Sequence, residues 1–228
     1  MKKNNKKEDK IKLIKIESIR FSPELEIELP AKVDADKLIN RGKTLRGWEL
    51  KSDGSLTNGI ELSPENSNHL YYNEDSLLQI KEVLALVRVY RGKAKETCGL
   101  HIHINVKNLS DKQILTIINE WVHKQKFVAK KFKVSKERIE ETCKLLPKSE
   151  LHKLTEKEIH AFRNNLRTSF QSYGYLDEKY YSLNVTHLPK NDYQTIEFRL
   201  FGGTVNFREI KEVIYWTLCF VRDCLERE

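Results

Sequence analysis

The sequence predicts an α+β fold, an antiparallel sheet with helices packed on one face. The segments run strands, helices, strands, helix, without the regular alternation that builds a doubly wound parallel sheet. Residues 100–106 alternate strictly: Leu100, Ile102, Ile104 and Val106 face one way, His101, His103 and Asn105 the other. That is the period of a strand with one face against a core. Residues 74–91 instead place Leu77, Leu78, Ile80, Val83, Leu84 and Val87 at helical spacing.

From the N-terminal end, residues 11–21 and 24–29 read as extended, interrupted by Pro23, which suits a strand start or an irregular edge. Short strands are expected over 45–51 and 59–63, around the turn Asp53-Gly54-Ser55. After the 74–91 helix and the 100–106 strand, a helix over 111–132 is capped by Ser110 and turns Ile114, Leu115, Ile117, Ile118 and Trp121 inward. A weaker helix covers 136–145 and ends before Pro147. The next, over about 156–170, opens with Thr155 and Glu158 in a capping-box pattern. Strands follow over 180–187 and 193–200. The last helix, over about 207–226, starts after Asn206 with Glu209 in its third position. No internal repeat or low-complexity linker divides the chain, so residues 11–228 read as a single domain behind a disordered basic tail, 1–10.

At 228 residues the chain can bury a core without disulfide or metal staples. No run of 18 apolar residues exists to form a membrane span. The opening Met1 to Lys7 lacks the apolar stretch of a secretory signal. Cysteines 98, 143, 219 and 224 have neither disulfide-framework nor zinc-knuckle spacing, and read as reduced thiols of a cytoplasmic protein. The net charge of +8 is concentrated in two runs. Residues 1–12 hold six lysines against two acids, and 124–138 hold seven basic residues against one. Lys-rich runs 2–12 and 124–138 are ordinarily a solvated tail and a solvated helix face. They also suit nucleic acid or another acidic partner, through salt-dependent neutralisation of phosphates.

Chemistry-bearing residues recur two apart on three strands: Glu24, Glu26 and Glu28; His101 and His103; Glu197 and Arg199. Spacing by two puts each set on one strand face, about 7 Å apart. Singly, each has an ordinary explanation: a solvated acidic face, a surface histidine pair, a cross-strand ion pair. Together they do not, because like charges on adjacent strands repel unless something compensates. A divalent cation is the simplest compensator, and a carboxylate-rich set suits Mg²⁺ or Mn²⁺, with histidine tilting the choice toward Mn²⁺ or Zn²⁺. Arg199 beside such an ion supplies a fork matched to phosphate oxygens, so the face suits phosphoryl transfer from a nucleotide. The Walker loop, the dinucleotide fingerprint, the nucleophile elbow and the His-Glu-x-x-His zinc motif are all absent. Gly202-Gly203 reads equally as a plain strand-ending turn or as room for close backbone approach.

Phe21-Ser22-Pro23-Glu24-Leu25-Glu26 resembles the opening aromatic-Gly-x-Glu-x-Glu strand of the amidoligases, small members of the glutamine synthetase and glutamate–cysteine ligase superfamily. The likeness continues through Trp48, Asp53-Gly54-Ser55-Leu56 and Gly59-Ile60-Glu61-Leu62-Ser63-Pro64. It is strongest at Cys98-Gly99-Leu100-His101-Ile102-His103-Ile104-Asn105. It resumes at Tyr180-Tyr181-Ser182-Leu183-Asn184 and ends with Thr195-Ile196-Glu197-Phe198-Arg199-Leu200-Phe201-Gly202-Gly203-Thr204, spanning about residues 20–210 in the family's order.

The resemblance implies a glutamine synthetase catalytic-domain-like fold and an ATP-dependent carboxylate–amine ligase. Such an enzyme phosphorylates a carboxylate with ATP and lets an amine displace phosphate to give an amide. By that likeness Glu24, Glu26, Glu61, His101 and Glu197 are the metal ligands for Mg²⁺ or Mn²⁺, with Glu61 and His103 also catalytic. Arg199 steadies the transferring phosphate, His103, Asn184 and Lys179 help hold nucleotide or substrate, and Asp53 and Ser55 lie on the substrate side. The partners implied are small-molecule or peptide carboxylates and amines. Two positions depart from the pattern: Ser22-Pro23 replaces the family's glycine, and Lys179 stands where an arginine is expected. That second change matters wherever a bidentate fork is needed. Two other readings of the residues stay open: a metal-dependent hydrolase or oxygenase using His101, His103 and a glutamate, and a basic nucleic-acid-binding module.

Overall fold

The computed structural model describes residues 14–35, 38, 47–65, 69–151, 154–164, 179–189 and 193–227. The expected tail over 1–10 and residues 165–170 of the expected 156–170 helix lie outside the described residues. Six strands form one sheet: β1 (Phe21–Glu28), β2 (Trp48–Asp53), β3 (Gly59–Pro64), β4 (Gly99–Asn105), β5 (Leu183–Asn184) and β6 (Thr195–Gly202). Their order is β2-β3-β1-β4-β6-β5 and every pairing is antiparallel. The helices are α1 (Glu74–Val89), α2 (Asp111–Lys131), the single turn α3 (Lys148–Leu151), α4 (Glu156–Arg163) and α5 (Phe207–Leu225). Among the described residues no helix is long and apolar enough to cross a membrane.

Parity along the strands divides the sheet into an apolar and a polar face. Leu25, Ile27, Ile60, Leu62, Leu100, Ile102, Ile196 and Phe198 are all buried, and α1, α2 and α5 contribute to the same core. Each such side chain contributes roughly 1.5–3 kcal/mol by leaving water. Trp121 of α2 sets its ring edge on Phe198 of β6 at 4.8 Å, and Phe220 of α5 meets the same ring at 5.9 Å. The indole Nε1 of Trp121 donates to Ser182 Oγ at 2.9 Å, Ser182 Oγ donates to Gln125 Oε1 at 2.7 Å, and Gln125 Nε2 donates to the Leu146 carbonyl at 2.7 Å. This buried chain of donors ties α2 to the segment leading into β5 and to the stretch after residue 143.

Helix starts follow the capping residues. Asn73 accepts from Ser76 N, Ser110 and Gln113 form a reciprocal box, and Glu158 accepts from Thr155 N at 2.7 Å. Asn206 accepts from Arg208 N, and Glu209 accepts from Asn206 Nδ2. Arg163, near the end of α4, is 7 % exposed and donates to the carbonyls of Leu109, Lys107 and Val106 and to Asp111 Oδ1, at 2.7, 2.8, 3.1 and 3.0 Å. It clasps the β4–α2 turn against α4.

Several elements differ from expectation: the strand expected over 180–187 shrinks to Leu183–Asn184, and α4 ends at Arg163 with Asn164 as its C-cap. Residues 16–18 form a short 3-10 turn rather than continuing the strand. The weak helix over 136–145 becomes a π-turn, Arg138–Thr142, a form in which one extra residue per turn redirects side chains. Pro23 sits on a central strand, which its missing N–H would ordinarily forbid. It is tolerated because β1 pairs β3 only from Leu25 onward, while Phe21 bridges Leu70 on that same side. Pro23 shares the parity of Phe21, so its nitrogen falls in the gap between them.

Candidate active site

Register decides which polar residues meet. Glu24 of β1 lies opposite His101 of β4, Ser22 opposite His103, and Glu26 opposite Glu61 of β3. On the other side His103 lies opposite Glu197 of β6, and Glu197 opposite Asn184 of β5. Four strands thus bring Glu24, Glu26, Glu61, His101, His103 and Glu197 onto one face of the sheet's centre. Glu28, the third glutamate of β1, leaves the group and pairs with Lys95 at 2.5 Å.

His101 is 1 % exposed, so the polar face of β4 is itself covered here. Its Nδ1 lies 2.6 Å from Glu24 Oε1 and 3.2 Å from Glu197 Oε1, and its Nε2 lies 3.7 Å from Glu26 Oε1. His103 Nε2 is 3.2 Å from Glu24 Oε2. Glu197 accepts from Asn184 Nδ2 at 2.6 Å and from Arg199 Nη1, while Glu26 accepts from Gly99 N. Asn184 therefore stands behind Glu197, its carbonyl oxygen accepting from Thr186 N, instead of facing a ligand directly.

Burial and neighbouring charges pull these groups apart. Burial pushes Glu24 up, but His101 and His103 outweigh it and hold its carboxyl well below the ordinary range. Glu197 is likewise buried yet held low by His103, His101 and Arg199. Burial opposes charging of His103, but Glu197 and Glu24 raise it. Glu61 goes the other way: burial, then the charge of Glu24, push it up to about 7. One carboxyl thus shares a proton near neutral pH beside others held ionised.

The donor chemistry fits a divalent ion. Ligand atoms of Glu24, Glu26 and His101 lie within 4.8 Å of one another, as do those of Glu24, His103 and Glu197. Two cavities flank the group, and Glu24 and Glu61 line both. The larger, about 510 Å³, is also lined by Glu26, His101, Arg138, Arg199 and Lys179, and by Asp53, Ser55, Thr97 and Tyr180. The smaller, about 200 Å³, is lined by Lys51, His69, His103, His187 and Tyr193 among others. The expected substrate residues Asp53 and Ser55 are joined by a turn bond, Ser55 N donating to Asp53 Oδ1 at 2.9 Å.

Sequence reasoning missed Arg138 and His69. Arg138, in the π-turn, is 4 % exposed and donates to the carbonyls of Cys98 and Arg199, at 3.1 and 2.9 Å. It was counted in the lysine-rich run 124–138, but the structure separates it: the lysines of that run are exposed, while Arg138 enters the site. His69 has both ring nitrogens buried without a hydrogen-bond partner among the described residues, and burial lowers its pKa to about 4. Neither residue lies in a motif, and no local periodicity marks them. Gly203 resolves the double glycine: its N–H donates to the Cys98 carbonyl at 2.8 Å, and a Cβ there would lie 2.7 Å from Cys98 Cβ. The close approach is to the start of β4, not to a ligand. Residues 24–221 match the family described as "Putative amidoligase enzyme". A comparison with curated proteins finds no match.

Proposed function

This chain belongs to the amidoligase family, and we propose that it is an ATP- and Mg²⁺-dependent carboxylate–amine ligase working through an acyl phosphate. One observation carries the reading: one cavity of about 510 Å³ is lined both by Glu24, Glu26 and Glu61 and by Arg138, Arg199 and Lys179. Transfer of a phosphoryl group needs both, cation ligands for the phosphate-bound metal and fixed positive charge for the phosphoryl oxygens.

In the first step a carboxylate oxygen attacks the γ-phosphorus of ATP and the bond to the β-phosphate oxygen breaks, releasing ADP. In the second an amine attacks the acyl carbon, phosphate leaves, and the amine loses a proton. The metal would supply charge neutralisation on the phosphates, with its ligands drawn from the candidate groups Glu24–Glu26–His101 and Glu24–His103–Glu197, and from Glu61. Arg199, anchored by Glu197, and Lys179 meet the transferring phosphoryl group. Asn184 positions Glu197, and His103 is fixed by Glu24 on the side of the smaller cavity. Asp53 and Ser55 meet the substrate in the larger one.

Thermal unfolding with a non-hydrolysable ATP analogue, with and without Mg²⁺, tests this without knowledge of the substrates. Ligand at about 100 times its dissociation constant stabilises by roughly 2.7 kcal/mol, a midpoint rise of about 5–10 °C for a chain of this size. A Mg²⁺-dependent rise supports the ligase. No rise at saturation refutes nucleotide use, and zinc or iron retained in its place favours the hydrolase.

A further inference from the structure

We propose that Arg138 permanently takes the place of one of the two cations this donor set could hold, leaving a single divalent ion at Glu24, His103 and Glu197. The inference rests on the metal-dependent reading above and says which half of the donor set is open.

The two donor groups share Glu24 but differ in their histidine. In the group with Glu26 that histidine is His101, and Arg138 Nη2 lies 3.3 Å from its Nε2. A guanidinium has only N–H donors and stays charged, so Nε2 must be the acceptor. The single ring proton is then on Nδ1, donated to Glu24 Oε1 at 2.6 Å. Both nitrogens of His101 are thereby occupied, and neither offers a lone pair to an ion. His103 has no such cap. Its Nε2 faces Glu24 and Glu197, with the Thr195 hydroxyl 3.4 Å from Nδ1 on the far side.

Arg138 is held there by backbone, which makes the arrangement fixed. Its guanidinium donates to the carbonyls of Cys98, just before β4, and of Arg199 in β6, where the β4–β6 register shifts. Gly99 makes the room: a Cβ at that position would overlap His101 Nε2 and Arg138 Nη2 and lie 3.0 Å from Glu26 Oε2. Three polar groups therefore close around one glycine, and the positive member is a side chain. Glu26 accepts from Gly99 N and shares the space around that glycine with the Arg138 guanidinium, without an ion pair between them. A buried cation beside buried carboxylates does electrostatically what an ion would do, without an entry path.

The test is Mn²⁺ binding to the full chain, with free Mn²⁺ read by electron paramagnetic resonance. The wild type should bind one Mn²⁺. Glu26→Gln should keep that affinity, whereas Glu197→Gln should weaken it at least about tenfold, as loss of a ligand does. Arg138→Gln frees His101 Nε2 of a charged partner and should admit a second Mn²⁺. Two ions in the wild type, a similar loss in Glu26→Gln, or one ion in Arg138→Gln each overturn the assignment of Arg138 while leaving the metal reading intact. No Mn²⁺ in the wild type overturns that reading itself. Should Arg138→Gln not fold, the two glutamate variants decide between the halves alone.

Discussion

Glu61→Gln, made in the metal-free protein, should stabilise the fold at alkaline pH. Burial and Glu24 raise the Glu61 carboxyl from 4.5 to about 7, against smaller pulls from Lys51 and His103 the other way. A carboxyl raised on folding binds its proton more tightly in the native state. Its contribution to stability is therefore complete below about pH 4.5 and lost as the pH climbs through 7. At 1.36 kcal/mol per pH unit the wild type gives up roughly 3 kcal/mol by about pH 8. Glutamine fills the same space without a charge and escapes that loss. For a chain of this length the variant should unfold about 6–12 °C higher at about pH 8, at roughly 2–4 °C per kcal/mol. Near pH 5, where most of the wild-type carboxyl is protonated, the two should nearly coincide. The assay is thermal denaturation in chelator at both pH values, repeated with saturating Mn²⁺. Mn²⁺ bound beside Glu61 should shrink the difference at about pH 8, because a nearby cation favours its ionised carboxylate. An equal difference at both pH values, or a variant less stable at pH 8, refutes the argument.

Gly99→Ala should displace His101 and Arg138 and lower the urea midpoint by the roughly 1–3 kcal/mol typical of overpacking. An unchanged midpoint would mean that the strand start has slack. Arg163→Met strips four hydrogen bonds from the β4–α2 clasp, leaves Asp111 without that partner, and should cost about 3–5 kcal/mol in urea unfolding. A loss under about 1 kcal/mol would show the clasp to be ornamental. Cys98, Cys143 and Cys224 are buried, and burial pushes Cys143 up to about 11 and Cys224 up to about 12. A thiol reagent near pH 8 should therefore titrate Cys219 quickly and the other three only in denaturant. Fast reaction of a second thiol would contradict the packing around it.

What could be read from the sequence was whatever backbone parity and local caps determine. Alternation along 100–106 put His101 and His103 on one face because successive strand side chains oppose each other whatever the neighbours are. Ser110, Thr155 and Asn206 marked helix starts because a cap acts on the N–H groups just beyond it. Register was not legible: nothing local says that Glu24 faces His101 while Glu28 turns to Lys95. Arg138 was hidden more deeply. Its stretch reads as a weak helix in a basic run, and only the π-turn and the carbonyls of Cys98 and Arg199 draw it inward. The place of Pro23 on a central strand was equally invisible, since it depends on where β3 stops.

The strand order has a consequence for the life of the chain. Glu24 and His101 are 77 residues apart, and His103 and Thr195 are 92 apart, so the centre of the sheet closes through its most distant pairings. Distant pairings form late, because loop closure must be met before they stabilise anything. A nascent or partly unfolded chain carries β1 and β3 with glutamates but no histidine or arginine to oppose them. The charge-balanced centre is assembled only when β4 and β6 arrive together. Competence for ligand is thus a report on completed folding, and a truncated or misfolded copy has no half-built centre with which to trap metal or nucleotide.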